Sequence, residues 1–360
     1  MSPVIHPRPN PIVAAMYTLR DMDVDVAVVH GPAGCGFMAA RMLEFAGMRV
    51  ATSGMREKDL IYGGSGPLVE TLRSVAERFD PRTVAVVGTC ASMIIGDDMA
   101  AAIRKADIGR TVFPVDCHGC MGDNTRGAIR AIEAGCAAGI VSPGEAERQK
   151  ALFRATTEME RRRGLTSREY LQPVPGPTKM AVCRHICDSL REGKRVAAVM
   201  LGKKELAYRF ADVLAAVDEA GKALGGETFL AANLDPEKGL PRIRGYAREV
   251  SSELRARGVE VDAVEGGLDE YAVAGPALKE AVDGFRPDLL VLAGIPHAYP
   301  GMGEGDVLIT DQPRQLSGYI SSGCRYAVGE ISSHSMVMGA HSIVPTETGD
   351  TLRQTAGLSP

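Results

Sequence analysis

The feature that most constrains the fold is a repeated order of elements: a short apolar run, a cysteine-bearing turn, and a helical stretch. Residues 24–29, 84–87 and 111–115 have the composition of buried strands, and each run is followed by such a turn and helix. Strands that alternate with helices in this way build a parallel sheet with helices packed on it. We therefore predict an α/β fold with Rossmann-like parallel sheets.

Cysteines occupy the turns that follow these three predicted strands. The first turn contains Cys35, the second Cys90, and the third the Cys-x-x-Cys pair Cys117 and Cys120. The carboxyl ends of parallel strands lie at one edge of a sheet, so we expect the turns to face one crevice. Thiolates are preferred by iron–sulfur clusters and zinc. The pattern indicates a soft-metal or redox site, and from the residues alone both remain open.

Composition excludes several classes of protein. The net charge of −4 argues against broad nucleic-acid binding, and aromatic residues make up only 5% of the chain. No apolar run reaches the roughly 18 residues of a membrane span, and residues 1–9 lack the apolar core of a signal peptide. We therefore expect a cytoplasmic protein whose eight cysteines are metal ligands, reactive thiols or buried side chains.

A proline-rich stretch at 172–178 is the clearest boundary in the chain. We predict a cluster-binding α/β domain at 1–144, a helical and proline-rich connector at 145–178, and a second α/β domain at 179–360. Within this scheme, residues 56–64 are expected to form a structured loop and residues 259–261 a strand. The sequence also lacks the Gly-x-x-x-x-Gly-Lys-Ser/Thr motif of P-loop ATPases.

The remaining cysteines have structural explanations. Cys136 and Cys324 are expected to be packed thiols. Cys183 and Cys187 lie four residues apart, so on a helix they share a face. Such a face is more often core than metal site, although a ligand role stays open.

Three motifs together resemble the nitrogenase component 1 family, which includes the light-independent protochlorophyllide and chlorin reductases. They are His-Gly-Pro-Ala-Gly-Cys at 30–35, Arg-Glu-Lys-Asp-Leu-Ile-Tyr-Gly-Gly at 56–64, and Cys90 followed by Ile-Gly-Asp-Asp at 95–98. The resemblance implies that Cys35 and Cys90 are cluster ligands. It also implies a component 1-like fold, for which this chain has room for two α/β domains joined by a helical connector.

Two departures from the family narrow the resemblance. No cysteine precedes Cys35, whereas family subunits usually carry one upstream of this motif, and the chain is shorter than the usual subunits of three domains. A short subunit of a single type is similar to the nickel-tetrapyrrole reductive cyclases of coenzyme F-430 synthesis. This implies a homodimer with a 4Fe-4S cluster between subunits, held by Cys35 and Cys90 of each. Cys117 and Cys120 remain the competing ligand pair.

The same resemblance implies an enzyme, a nitrogenase-like oxidoreductase. Its partner is an ATP-hydrolysing iron–sulfur reductase, itself a homodimer, that supplies electrons. The substrate is a nickel tetrapyrrole, nickel-sirohydrochlorin a,c-diamide, whose macrocycle is reduced while a lactam ring closes. Histidine titrates near neutrality and basic side chains pair with carboxylates. We therefore expect the proton donors among His118, His185 and His297, and the substrate-binding cations among Arg184, Lys203, Lys204 and Arg314.

Each of these side chains also has a structural alternative, as a hydrogen-bonded histidine or a solvated surface charge. Other functions stay open as well: a different tetrapyrrole reductase of the family, a non-catalytic scaffold for cluster assembly, or a zinc or redox protein built on the Cys-x-x-Cys pair.

Overall fold

A computed structural model describes residues 10–163, 179–330, 337 and 339–359, without the side chains of residues 38, 159–163 and 313–315. The chain divides into two compact units. Unit 1 is Met1–Arg168 with Leu240–Arg242, and unit 2 is Glu169–Gly239 with Ile243–Pro360. Each unit is built on its own parallel sheet. The predicted α/β fold with parallel sheets is confirmed.

The sheet of unit 1 has the order β2-β1-β3-β4, and all its pairings are parallel. Its central strands are buried, β1 along its whole length and β3 from Val84 onwards, which accounts for their continuous apolar runs. The strands are β1 Val26–His30, β2 Arg49–Thr52, β3 Thr83–Gly88 and β4 Thr111–Val115. The helices are α1 Pro11–Asp21, α2 Phe37–Phe45, α3 Glu57–Tyr62, α4 Ser65–Phe79, α5 Cys90–Ile94, α6 Met99–Ala106, α7 Asn124–Ala137 and α8 Pro143–Arg163.

Side-chain caps define where the helices of unit 1 begin. Asn10 accepts a hydrogen bond from the Val13 amide at 2.9 Å and so starts α1, and Asp98 and Asp123 cap α6 and α7 in the same way. Helix α4 packs its apolar face, which includes Leu68 and Leu72, into the core beside β1 and β3.

The sheet of unit 2 has the order β10-β9-β8-β5-β6-β7, again with parallel pairings throughout. The strands are β5 Val196–Leu201, β6 Thr228–Ala232, β7 Ala263–Val264, β8 Leu289–Gly294, β9 Val307–Thr310 and β10 Tyr326–Gly329. The helices are α9 Lys179–Arg191, α10 Ala207–Leu224, α11 Pro241–Ala256, α12 Gly275–Phe285, α13 Pro313–Ser321 and α14 Glu347–Thr355.

Both sheets have a topological switch point, where the order of strands reverses. It lies between β1 and β3 in unit 1 and between β5 and β8 in unit 2. In open α/β sheets, ligands bind beyond the carboxyl ends of the strands at such a point. In unit 1 the segments after β1 and β3 carry predicted site residues, and in unit 2 the segments after β5 and β8 do.

Two local predictions were wrong. Residues 57–62, expected to be a loop, form helix α3, because the Asp59 carboxylate accepts the Arg56 amide at 2.8 Å and caps the first turn. The strand expected at 259–261 lies instead at Ala263–Val264, where the chain reaches β6.

The domain boundaries at 144 and 178 stay a prediction. Helix α8 covers the first part of the predicted connector and belongs to unit 1. The proline-rich stretch at 172–178 lies outside the described residues.

Candidate metal centre at the first switch point

The register of β1 and β3 brings two cysteine turns together. The strands pair up to His30 opposite Gly88, and both chains then leave the sheet. The Thr89 hydroxyl donates to the His30 carbonyl at 2.9 Å and links the two turns. A Cβ atom on Gly31 would lie 2.3 Å from the Thr89 Oγ1 atom, so this close approach requires glycine.

The turns present Cys35 and Cys90 beside each other. Cys35 ends a 3-10 turn, and Cys90 is the first residue of α5 after the N-cap Thr89. Both thiols are half-buried. Burial raises the pKa of the Cys35 thiol, and the neighbouring charge of Cys90 raises it further. The two thiols therefore lie in neighbouring turns that follow paired strands at one switch point.

The third cysteine turn, after β4, separates its two thiols. Cys117 is buried, and burial raises its pKa to about 12. Cys120 is exposed, and its Sγ atom lies 3.6 Å from the Cys90 Sγ atom. The hydrogen bond with Cys90 raises the pKa of the Cys120 thiol. Of the competing ligand pair, Cys120 therefore lies beside Cys90, whereas Cys117 points into the core.

Within the described part of the chain, no group of three or more histidine, cysteine or acidic residues is arranged to hold a metal ion. The thiols at the switch point nevertheless have the chemistry that iron–sulfur clusters prefer. Cys35 and Cys90 fit such a group as part of a ligand set.

A buried histidine connects the three sequence motifs. His30 Nε2 lies 3.1 Å from Asp97 Oδ2, and His30 Nδ1 lies 3.0 Å from Ser53 Oγ. The Asp97 carboxylate also accepts the Gly64 amide, at 3.0 Å and 3.1 Å to its two oxygens. Burial lowers the pKa of His30 despite the opposing effect of Asp97. A neutral His30 thus donates from Nε2 to Asp97 and accepts the Ser53 hydroxyl at Nδ1.

This network explains the double glycine at 63–64. A Cβ atom on Gly64 would lie 2.4 Å from Asp97 Oδ2 and 2.9 Å from His30 Cε1. His30, Gly64 and Asp97 each belong to a different motif of the sequence. Sequence reasoning found the motifs but missed that His30 joins them, because the three residues are far apart in the chain.

His118 also lies in unit 1, in the turn between Cys117 and Cys120. Its side chain is half-buried, and its Nδ1 atom is buried without a hydrogen-bond partner among the described residues. The ring therefore retains an unused polar atom beside the cysteine turns.

Unit 2 places two other predicted residues at its own switch point. Strands β5 and β8 pair up to Leu201 opposite Gly294. Lys203 follows β5, with its Nζ atom 3.5 Å from Glu270 Oε1, and His297 follows β8, with its ring 5.8 Å from that of Tyr271.

Lys204, next to Lys203, is buried, has a left-handed backbone with φ of 46°, and pairs with Glu270. A buried ammonium group needs such a counter-ion, so Lys204 has a structural partner in Glu270.

The other predicted cations lie on helices. Arg184 is exposed on α9. The Arg314 side chain lies outside the described residues. His185 stacks on Tyr326 with ring centroids 3.7 Å apart, and its Nε2 atom lies 3.0 Å from the Gly305 carbonyl oxygen.

Cys183 and Cys187 form the buried face of α9. Burial raises the pKa of Cys183 to about 12 and that of Cys187 to about 11. The Cys183 thiol donates to the Thr348 carbonyl at 3.6 Å. These contacts are those of core thiols.

The chain matches the family model of nitrogenase component 1 type oxidoreductases over residues 11–158. Its relatives extend this match to almost the whole chain, so the chain belongs to the nitrogenase component 1 family and is a nitrogenase-like oxidoreductase.

Two relatives are component CfbD of the Ni-sirohydrochlorin a,c-diamide reductive cyclase complex. The protein from Methanothermobacter thermautotrophicus is 42% identical over 354 residues, covering 97% of this chain and 98% of the relative. The protein from Methanosarcina acetivorans is 42% identical over 360 residues, covering 98% and 97%. A solved structure described as nitrogenase Cp1 at pH 5 is similar with a TM-score of 0.37 and 15% identity, covering 99% of this chain and 88% of that one.

No helix in the described parts of the chain is both long enough and apolar enough to cross a membrane.

Proposed function

We propose that this chain is the catalytic component of a nitrogenase-like reductive cyclase that acts on nickel-sirohydrochlorin a,c-diamide. The reaction reduces the macrocycle and closes a lactam ring. The observation that carries the proposal is the 42% identity to CfbD proteins over nearly the whole length of both chains. The two neighbouring thiols at the first switch point support it independently.

Cys35 and Cys90 of two identical chains supply the four thiolates that a 4Fe-4S cluster needs. A two-fold axis through the cluster makes the two contributions equivalent. When bound, such a cluster accepts and donates single electrons. The role of each chain is to offer two half-buried thiols, fixed at the ends of adjacent strands, on a surface that a second copy covers.

Exposed apolar side chains around the cysteine turns support this dimer. Phe37 follows the first turn and is 74% exposed, and Ile94 ends the short helix that Cys90 begins and is 75% exposed. Tyr62 in α3 is 87% exposed. Large apolar side chains that remain exposed together mark an interaction surface. A second copy of the chain is the occupant that also completes the thiolate set.

The proposal assigns ATP hydrolysis and electron supply to a separate iron–sulfur reductase. The sequence has no P-loop motif of its own. The name of the relatives, a component of a complex, supports a second component.

The chain's own side chains are proposed to donate protons to the substrate and to bind its carboxylates. His118 has an unused buried Nδ1 atom beside the cysteine turns, and His297 lies at the switch point of unit 2, so we propose both as proton donors. Lys203, Arg184 and Arg314 are proposed to pair with substrate carboxylates. For Lys203, the support is its position directly after β5, at the switch point of unit 2.

The decisive experiment is anaerobic turnover of nickel-sirohydrochlorin a,c-diamide with the cluster-loaded protein, its reductase and ATP. A reduced, cyclised product that is absent without ATP is expected. Absence of product with an intact cluster would contradict the enzyme and favour a scaffold that passes the cluster to another protein.

Iron analysis tests the ligands separately. Cys35→Ser and Cys90→Ser are expected to lose bound iron and sulfide, because each removes two of four thiolates per dimer. Cys120→Ser is the matched control and should keep both. Full iron content in either ligand variant, or zinc alone in the native protein, would exclude this cluster.

A further inference from the structure

The thiols of Cys90 and Cys120 form a close pair that the proposed function does not use. Their sulfur atoms lie 3.6 Å apart, although the residues come from turns after different strands. The backbone at Gly119 lies against the same sulfur, since a Cβ atom at that position would be 3.4 Å from the Cys90 sulfur, in ordinary contact. In the single chain Cys120 is exposed and Cys90 half-buried, so a small disulfide reaches the pair before a second copy covers this surface.

We propose that Cys90 and Cys120 form a reversible intrachain disulfide in the cluster-free chain, with a low-molecular-weight disulfide as the oxidant. The two sulfurs must approach by about 1.5 Å to bond at the usual length. Rotation of the exposed Cys120 side chain supplies a movement of this size. This modification site lies beyond the proposed function, and its formation does not depend on that function.

The other cysteines near this pair are poorer partners. Cys117 is buried, so a small disulfide in solution does not reach its sulfur, whereas Cys120 is exposed. Cys35 is also near Cys90, but the direct sulfur–sulfur contact of Cys90 is with Cys120, at 3.6 Å. The geometry therefore favours a Cys90–Cys120 disulfide over the other possible pairings.

The disulfide forms by two successive thiol–disulfide exchange reactions. The exposed Cys120 thiolate attacks the small disulfide, forms a mixed disulfide and releases one small thiol. The Cys90 thiolate then attacks the Cys120 sulfur and releases the second small thiol. In total, two cysteine thiols lose two electrons and two protons, and one small disulfide is reduced to two thiols.

The disulfide has a consequence that rests on the proposed function. While it exists, Cys90 has no free thiolate to offer a cluster, so a reductant must open it before the cluster is assembled. The disulfide is a reversible oxidation state, and it protects the Cys90 thiol from oxidation to sulfinic and sulfonic acids. Once Cys90 is bound to iron, the pair no longer reacts.

The test uses the full cluster-free chain, treated anaerobically with oxidised glutathione, then denatured, alkylated and analysed by peptide mass spectrometry. Of the eight cysteines, six should remain alkylated, with Cys90 and Cys120 linked and free of glutathione. In Cys120→Ser the link should be lost and Cys90 should be alkylated or glutathionylated. In the matched Cys117→Ser variant the link should persist.

Stable glutathione on Cys120 of the native chain, a Cys35–Cys90 or Cys117–Cys120 link, or eight alkylated cysteines would each overturn the proposal. A second measurement is iron uptake: the oxidised chain should bind less than a tenth of the iron that it binds after reduction with dithiothreitol. If the reduced chain binds no iron either, the proposed cluster fails while the mass-spectrometric result for the disulfide still stands.

Discussion

Replacement of Asp97 by alanine tests whether the His30 network holds the cysteine turns in place. The Asp97 side chain is 9% exposed and accepts hydrogen bonds from His30 Nε2 and from the Gly64 amide. Asp97→Ala leaves both donors without an acceptor in a site that water barely reaches. Each buried, unsatisfied donor costs about 1–3 kcal/mol, so the loss of the acceptor for two donors should lower the free energy of unfolding by roughly 2–6 kcal/mol.

A loss of that size is a large part of the roughly 5–15 kcal/mol that stabilises a typical domain. The assay is urea unfolding of the cluster-free chain followed by circular dichroism, with the transition of unit 1 identified by hydrogen exchange of peptides around Gly64. Exchange of the Gly64 amide should become faster in Asp97→Ala, because that amide has lost its acceptor.

Asp98→Asn is the matched control. Asp98 is exposed and caps α6 by accepting the Ala101 amide at 2.8 Å. Asparagine caps helices about as well as aspartate, so the change should stay within about 0.5 kcal/mol. An Asp97→Ala variant that is as stable as Asp98→Asn, with unchanged exchange at Gly64, would refute the role of the network.

Three further predictions follow from the same unit. Gly31→Ala should lower the free energy of unfolding by about 1–3 kcal/mol in urea titrations, because its Cβ atom would overlap the Thr89 side chain. Burial lowers the pKa of His30 below its usual 6.5, so the unfolded chain binds more protons there. His30 should therefore stabilise the fold above about pH 6.5, and this stability should be lost as the pH falls towards the lower pKa of the folded state. Tyr62→Asp should raise the dissociation constant of the dimer at least about tenfold in sedimentation equilibrium, because it buries a charge at the proposed interface.

Each of these three predictions has a control substitution. Gly34→Ala should be nearly neutral, because no atom lies within 4 Å of its Cβ position. His30→Gln should flatten the dependence of the unfolding free energy on pH below about pH 6.5, and an unchanged slope would mean that another group causes that dependence. Val264→Asp places the same charge on an exposed apolar position of unit 2 and should leave the dimer intact. Equal dissociation of both aspartate variants would argue against the interface at Tyr62.

The sequence by itself determined the elements and their class. Apolar runs followed by turns and helical stretches predict buried parallel strands, because hydrophobic periodicity is a local property of the chain. The same local reading placed Cys35 and Cys90 just beyond strand ends, and the resemblance of their motifs gave the family. The boundaries of α3 and β7 were missed, since a single capping carboxylate and a short strand pairing decide them.

Only the tertiary structure decided which residues meet. The strand order places β1 beside β3, and this brings His30 to Asp97, 67 residues away, and Asp97 to Gly64, 33 residues away. It also distinguishes Cys120, which lies against Cys90, from Cys117, which is buried. Spacing along the chain leaves such contacts undetermined, because they depend on how separate elements pack and not on the pattern within any one of them.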